Sequence, residues 1–187
     1  MDNKALLVVD PQIDFITGSL PVPGAEQAMD KLAEYIKENG AEYTHVIVTA
    51  DRHPLTHCSF TQNGGEWPRH CVADSVGAAI WPAIMETLYD YPGKLTVLHK
   101  GKNPEIEEYS IFKNTGAAER LHTMVEDEKI MEIDICGLAG DVCVANTLKD
   151  AVSELKNVSF NILLQFSPSL DGGKVLSSLA SGLGINY

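Results

Sequence analysis

Three side chains of this sequence form a complete chemical set for opening an amide bond: an acid, Asp10, an amine, Lys100, and a thiol, Cys143. A carboxylate can take the proton of a thiol and later return it to a leaving nitrogen, acting as base and then as acid. The sulfur meanwhile forms a thioester that water opens. A lysine beside them favours both the thiolate and the ionised aspartate. Cys143 lies in Gly137-Leu138-Ala139-Gly140-Asp141-Val142-Cys143-Val144, where an alternating segment breaks on glycine and gives way to apolar residues at helical spacing. That places the sulfur in the first turn of a helix, where free N–H groups and the positive dipole end stabilise thiolate and can hold an oxyanion. A small cysteine buried at a strand–helix junction is the competing explanation of the same position. No Gly-x-Ser-x-Gly signature supplies another nucleophile.

A second cluster has the composition of a metal site. In an extended segment residues two apart point the same way, so Asp51 and His53 can grip one ion, and His70 can return from the intervening loop as a third ligand. Two imidazoles and a carboxylate with open positions suit zinc, iron or manganese holding water and substrate. His57 either completes this set or supports it from outside. Cys58 and Cys71 stand beside it and would allow a cysteine-containing zinc site, although their spacing is not that of a zinc finger. Phe15 and Trp67 are flat aromatics that suit a planar ring substrate or, equally, pack the core.

These residues need elements to position them. Ala5–Val9, Val46–Ala50, Leu95–His99, Ile130–Cys136 and Val158–Leu164 read as strands. Ala28, Leu32, Ala33 and Ile36 mark a helix ending at Asn39-Gly40, and helical spacing recurs over Ala117–Val125, Val144–Leu155 and Leu176–Ala180. Residues 78–90 have helical character interrupted by Pro82. Residues 52–77 form a long loop, which inside a compact domain is usually functional. Strands alternating with helices predict an α/β fold: a three-layer, doubly wound, mainly parallel sheet with helices on both faces. Asp10, Asp51, Lys100 and the Gly137–Cys143 turn each follow the C-terminal end of a different strand, the edge where such sheets bind ligands.

Bulk composition narrows the function. The 187 residues are 44% hydrophobic and 21% charged, enough for a sizeable core and read as one domain, residues 1–187. A formal net charge of −12 disfavours nucleic acid and anionic membranes. With no apolar run near the roughly 20 residues of a membrane span and no basic-then-apolar leader, the expected setting is the cytoplasm. Four cysteines without a CxxC pair fit reduced thiols there.

Taken in chain order, the motifs resemble those of the isochorismatase-like cysteine hydrolases, and within them the nicotinamidase/pyrazinamidase group. Asp10-Pro11-Gln12-Ile13-Asp14-Phe15 is similar to the first-strand motif. Asp51-Arg52-His53-Pro54 through His57-Cys58-Ser59-Phe60, with Trp67-Pro68-Arg69-His70-Cys71-Val72, is similar to the metal segment. Leu98-His99-Lys100-Gly101 and Gly-Leu-Ala-Gly-Asp-Val-Cys-Val match the segments of the lysine and the nucleophile. The resemblance implies Asp10 as acid/base, Lys100 as catalytic lysine and Cys143 as nucleophile. It also implies a cis peptide between Leu138 and Ala139, an oxyanion hole from the N–H groups of Ala139 and Cys143, and a pocket touching Phe15, Trp67 and Leu138. One divalent ion, zinc ahead of iron or manganese, would sit on Asp51, His53 and His70 and hold the pyridine nitrogen of nicotinamide. The implied reaction is deamidation to nicotinate and ammonia in NAD salvage; a different small carboxamide, or ligand binding without catalysis, is the alternative. An oligomer is common in related folds, though no interface is legible. Gly140 departs from the threonine of many members, so a looser turn is expected there.

Overall fold

The computed structural model describes residues 3–187; Met1 and Asp2, the first residues of the expected domain, lie outside the described residues. Five strands, β1 (Asn3–Val9), β2 (His45–Asp51), β3 (Lys94–Lys100), β4 (Ile130–Gly137) and β5 (Ser159–Ile162), form one parallel sheet in the order β3-β2-β1-β4-β5. Six helices accompany them: α1 (Ile13–Ile16), α2 (Ala25–Asn39), α3 (Pro82–Tyr89), α4 (Thr115–Asp127), α5 (Ala145–Glu154) and α6 (Lys174–Leu183). Among the described residues no helix is long and apolar enough to cross a membrane.

The three layers follow from the period-two alternation of the central strand. Ala5, Leu7 and Val9 face one side, where α4, α5 and α6 contribute Leu121, Leu148 and Leu176. Leu6 and Val8 face the other, where α2 and α3 bring Met29, Leu32, Ile84 and Leu88. Because both faces are covered, β1 and β2 carry no polar-out alternation and read as continuous apolar runs. Pro82 does not interrupt its helix, as the sequence had suggested, but opens it. At the first helical position the missing N–H has no partner to lose, and the fixed φ is already helical. β5 is shorter than its apolar run, which ends in a 3₁₀ turn over Leu164–Phe166.

Register carries the sheet's order into the site. Asp51 lies directly beside Lys100 on the β2–β3 ladder, and Val9, the residue before Asp10, lies beside Gly137. Four strand ends on one sheet edge therefore deliver an acid, a second acid, an amine and the turn that bears Cys143 to one place.

The turn after β4 is tight rather than loose. The Gly140 amide donates to the Pro168 carbonyl at 2.9 Å, and the Asp141 carboxylate accepts from the Leu170 and Asp171 amides at 3.0 Å each. A Cβ on Gly140 would lie 2.2 Å from Ser169 Oγ and 2.5 Å from the Ser167 carbonyl oxygen. The segment 167–171 thus occupies the space where a threonine side chain would stand. Gly140→Thr is expected to destabilise the fold by about 1–3 kcal/mol through overpacking against backbone, read as a lower urea midpoint with an unchanged slope.

Candidate active site

β1 is followed by Asp10, a non-glycine residue at φ +46 whose backbone N–H donates to the Thr49 carbonyl at 3.1 Å. The Thr49 hydroxyl, from β2, donates to Asp10 Oδ1 at 2.6 Å. A residue held in this sparsely populated region needs such over-determination to stay there, and sites of that kind cluster where chemistry is done. Oδ2, the other oxygen, has no aligned hydrogen bond and faces Lys100 Nζ at 2.9 Å.

Lys100 is the junction. It is 1% exposed, and its ammonium contacts Asp10 Oδ2 at 2.9 Å, Asp51 Oδ1 at 2.8 Å and Cys143 Sγ at 3.7 Å. Burial works against its charge, but Asp10 and Asp51, with Cys143 adding to them, overcome it and hold the pKa well above the ordinary lysine value. Burial raises the Asp10 carboxyl pKa; Lys100 opposes the rise and the Asp51 charge adds to it. A carboxylate of raised pKa that sits against a thiol is suited to accepting and returning a proton.

Cys143 lies two residues before α5, in a π-helical turn spanning Gly140–Val144, rather than in the first turn of the regular helix. Its expected thiolate is corrected too. Burial pushes the thiol pKa well up, and Asp10 and Asp51 add to this while Lys100 opposes it. The dipole of a helix start is outweighed by desolvation when the sulfur is this enclosed. Sγ and one oxygen each of Asp10 and Asp51 lie within 4.8 Å of one another. A carboxylate able to accept the thiol proton thus stands beside the sulfur. The Leu138–Ala139 peptide is cis, and the Ala139 N–H has no acceptor among the described residues.

Asp51 carries the site into its second half. With Oδ1 engaged by Lys100, Oδ2 is free and lies 3.7 Å from His53 Nε2. Ligand atoms of Asp51, His53 and His70 all lie within 4.8 Å of one another, and all three residues are buried. The long loop folds back to make this possible. His53 N donates to the Cys71 carbonyl and Ala73 N to the His53 carbonyl, pairing the two ends of the loop like a short strand. Phe60, fully buried, is the loop's own small core, with ring centroids 5.7 Å from His53 and 5.5 Å from His70.

His53 and His70 each have one ring nitrogen engaged. His53 Nδ1–H donates to the Gly101 carbonyl at 2.9 Å, and His70 Nδ1–H donates to the Pro68 carbonyl at 2.7 Å. Both leave Nε2 as a lone pair, the second-layer arrangement by which proteins orient metal-binding imidazoles. Burial, with His57 next, lowers the His53 pKa to about 3, so the ring is neutral and able to ligate. Two free imidazole nitrogens and one free carboxylate oxygen, buried and convergent, fit a divalent cation. His57 is not brought into this set. Its Nδ1 accepts from the Ser59 amide at 3.2 Å, and its Nε2 donates to the Ile106 carbonyl at 3.2 Å, so neither nitrogen is free. Its ring stacks instead on His53, centroids 4.0 Å apart.

A cavity opens between the two halves, lined by Phe15, Trp67, His70, Tyr109, Ala139 and Cys143, with Leu20, Val22, Val142 and Leu170 at its walls. Phe15 also packs against His70 at 5.4 Å. Leu138, expected in the pocket, is not there. Its side chain is fully buried in the core beneath α1 and α2, among residues such as Phe15, Cys136 and Phe166, and its neighbour Ala139 faces the cavity. Sequence reasoning missed Thr49, Tyr109 and Glu107. The Tyr109 hydroxyl accepts from Trp67 Nε1 at 3.0 Å, closing an aromatic wall across the cavity. Glu107 lines the same cavity, its carboxyl pushed up to about 7 by burial and then by Asp51. Only the hydroxyl of Thr49, beside an acidic strand end in an otherwise apolar run, left a trace in the sequence.

The isochorismatase domain, as described for its family, matches residues 4–154. The chain belongs to the isochorismatase family. This isochorismatase-family chain is 34% identical over 173 residues to a nicotinamidase of Escherichia coli (strain K12), covering 81% of the chain and 78% of the relative. Among solved structures it is similar to the pyrazinamidase of Pyrococcus horikoshii in complex with zinc, at a TM-score of 0.84 and 31% identity over 98% of this chain and 97% of that one. It is likewise similar to PnC1 from L. infantum in complex with nicotinate, at a TM-score of 0.82 and 29% identity over 99% and 91% of the two chains.

Because Lys100 separates two buried carboxylates, Lys100→Met leaves them facing each other without a cation. Removing one partner of a buried ionic cluster costs about 3–5 kcal/mol. The variant, free of metal, is expected to unfold at a correspondingly lower guanidinium concentration than the metal-free parent.

Proposed function

We propose that the chain is a nicotinamidase: a hydrolase that converts nicotinamide and water to nicotinate and ammonia, using Cys143 as nucleophile and one divalent ion on Asp51, His53 and His70. The observation that carries this reading is the Lys100 ammonium, which joins Asp51 of the ion site to Asp10 and Cys143 in one buried cluster. Support also comes from the E. coli nicotinamidase, the zinc-bound P. horikoshii pyrazinamidase and the nicotinate complex of the L. infantum protein. A bound ion supplies a Lewis-acid position for the ring nitrogen of the substrate. Zinc is the ion proposed, with iron and manganese as alternatives.

The chain's own residues then account for the chemistry. Asp10 takes the Cys143 proton as sulfur attacks the carboxamide carbon, and the Ala139 and Cys143 N–H groups hold the oxyanion that forms. Asp10 returns the proton to the nitrogen, the C–N bond breaks, and ammonia leaves a thioester on Cys143. Water, deprotonated by Asp10, attacks that thioester; the C–S bond breaks, Asp10 passes the proton to the departing sulfur to restore the thiol, and the acid product leaves as nicotinate after losing its own proton to solvent. Lys100 keeps Asp10 oriented and its charge compensated through both halves. Phe15, Trp67 and Tyr109 clasp the flat ring, and the four unpaired cysteines suit a reducing, cytoplasmic setting.

Ammonia release from nicotinamide tests the reading. Each tenfold loss in rate is about 1.4 kcal/mol of barrier, and Cys143→Ala, lacking the nucleophile, is expected to lose at least about three such steps. Wild-type rates in that variant would end the covalent mechanism. Exhaustive chelation is expected to abolish ammonia release and added zinc to restore it; activity indifferent to chelation would remove the ion from the reaction.

A further inference from the structure

Glu107 and Glu108 are adjacent acids in different surroundings. Glu107 faces the cavity, whereas Glu108 is 5% exposed and lines no part of it. Among the described residues no cation lies within ion-pair distance of the Glu108 carboxylate. A buried carboxylate with no counter-charge is costly unless strong hydrogen bonds replace the water it lost. Oε2 accepts from the Gly101 amide at 2.6 Å and from Asn114 Nδ2 at 3.0 Å; the same Asn114 nitrogen stands 3.4 Å from Oε1.

Both partners lead somewhere. Asn114 caps α4, its Oδ1 accepting from the Ala117 amide at 3.1 Å, so Glu108 is anchored to the rigid start of a helix. Gly101 is the residue after Lys100, at φ +69, and its carbonyl takes the His53 Nδ1 proton. A Cβ on Gly101 would lie 2.4 Å from His53 Cε1 and 2.5 Å from Nδ1, so bare backbone is pressed against the imidazole. His70 is oriented differently, through the Pro68 carbonyl of its own loop. Of the two histidines, His53 alone is oriented by the carbonyl of a residue whose own N–H, in the preceding peptide unit, is held by a buried acid.

We propose that Glu108 is a positioning residue for the ion site: by tying the Gly101 N–H to the start of α4, it fixes the residue whose carbonyl sets the tautomer and ring plane in which His53 presents Nε2 to a divalent cation. The inference rests on the ion-site part of the proposed function and on no step of the amide chemistry.

Zinc affinity, measured by competition with a chromophoric chelator in the absence of nicotinamide, tests it together with the visible spectrum of the cobalt-substituted protein. Loss of a residue that orients a metal ligand weakens binding by about 10–100-fold. That loss is expected for Glu108→Ala, with shifted cobalt bands. Glu108→Gln, whose side-chain oxygen can still accept from the Gly101 amide, is expected to recover the parent spectrum and most of the affinity. If Glu108→Ala does not fold, Glu108→Asp, which keeps the charge but retracts it by one methylene, is measured for the same loss. A folded Glu108→Ala or Glu108→Asp with parental zinc affinity and spectrum overturns the proposal. So does a glutamine variant as impaired as the alanine one, or a parent protein that binds no divalent ion. Glu108-dependent zinc binding in a protein that releases no ammonia from nicotinamide would sustain this inference and refute the nicotinamidase reading.

Discussion

The Lys100 ammonium, buried between the carboxylates of Asp10 and Asp51, is the contact on which the rest of the site depends. Neither acid could be enclosed so near the other without it, since unpaired buried charges are among the costliest features a fold can hold. Its position is a consequence of sheet register: Lys100 ends β3 directly beside Asp51 at the end of β2, and β1 lies next in order. Neutralising two negative charges with one positive leaves the cluster a net acceptor of positive charge. The same arithmetic that stabilises Lys100 makes the free oxygen of Asp51 a good seat for a cation.

Around that pair the molecule divides its work between a rigid edge and a loop with its own small core. Asp10, Lys100 and the turn bearing Cys143 are fixed by strand ends and backbone hydrogen bonds, with Thr49 and the segment 167–171 as clamps. The histidines are instead gathered by Phe60, which three imidazole rings approach, and by the pairing of residues 53 and 72. Apolar burial inside the loop brings the rings together, and carbonyl acceptors decide which nitrogen each one shows.

Enclosure also changes the resting chemistry. A cysteine at an exposed helix start would sit as thiolate, but Cys143 is buried among acids and keeps its proton.

The sequence by itself determined the layered α/β architecture and the chemical inventory. Apolar runs of strand length alternating with helical periodicity admit little else, and acids, amine and thiol at four successive strand ends share one edge in any parallel sheet. It could not separate ligand from bystander among His53, His57 and His70, because all three are polar loop residues of one type. Only the folded loop shows that both nitrogens of His57 are consumed. Leu138 was misplaced because its motif sits beside the cavity while its side chain turns into the core, and Gly140 was read as slack because nothing local shows that residues 167–169 pack against it. Tyr109, Glu107 and Glu108 were invisible for a related reason: they lie in a polar loop without periodicity. Local pattern fixes which way a chain runs; what a side chain finally touches is set by segments far off in sequence, and the tertiary structure decides it.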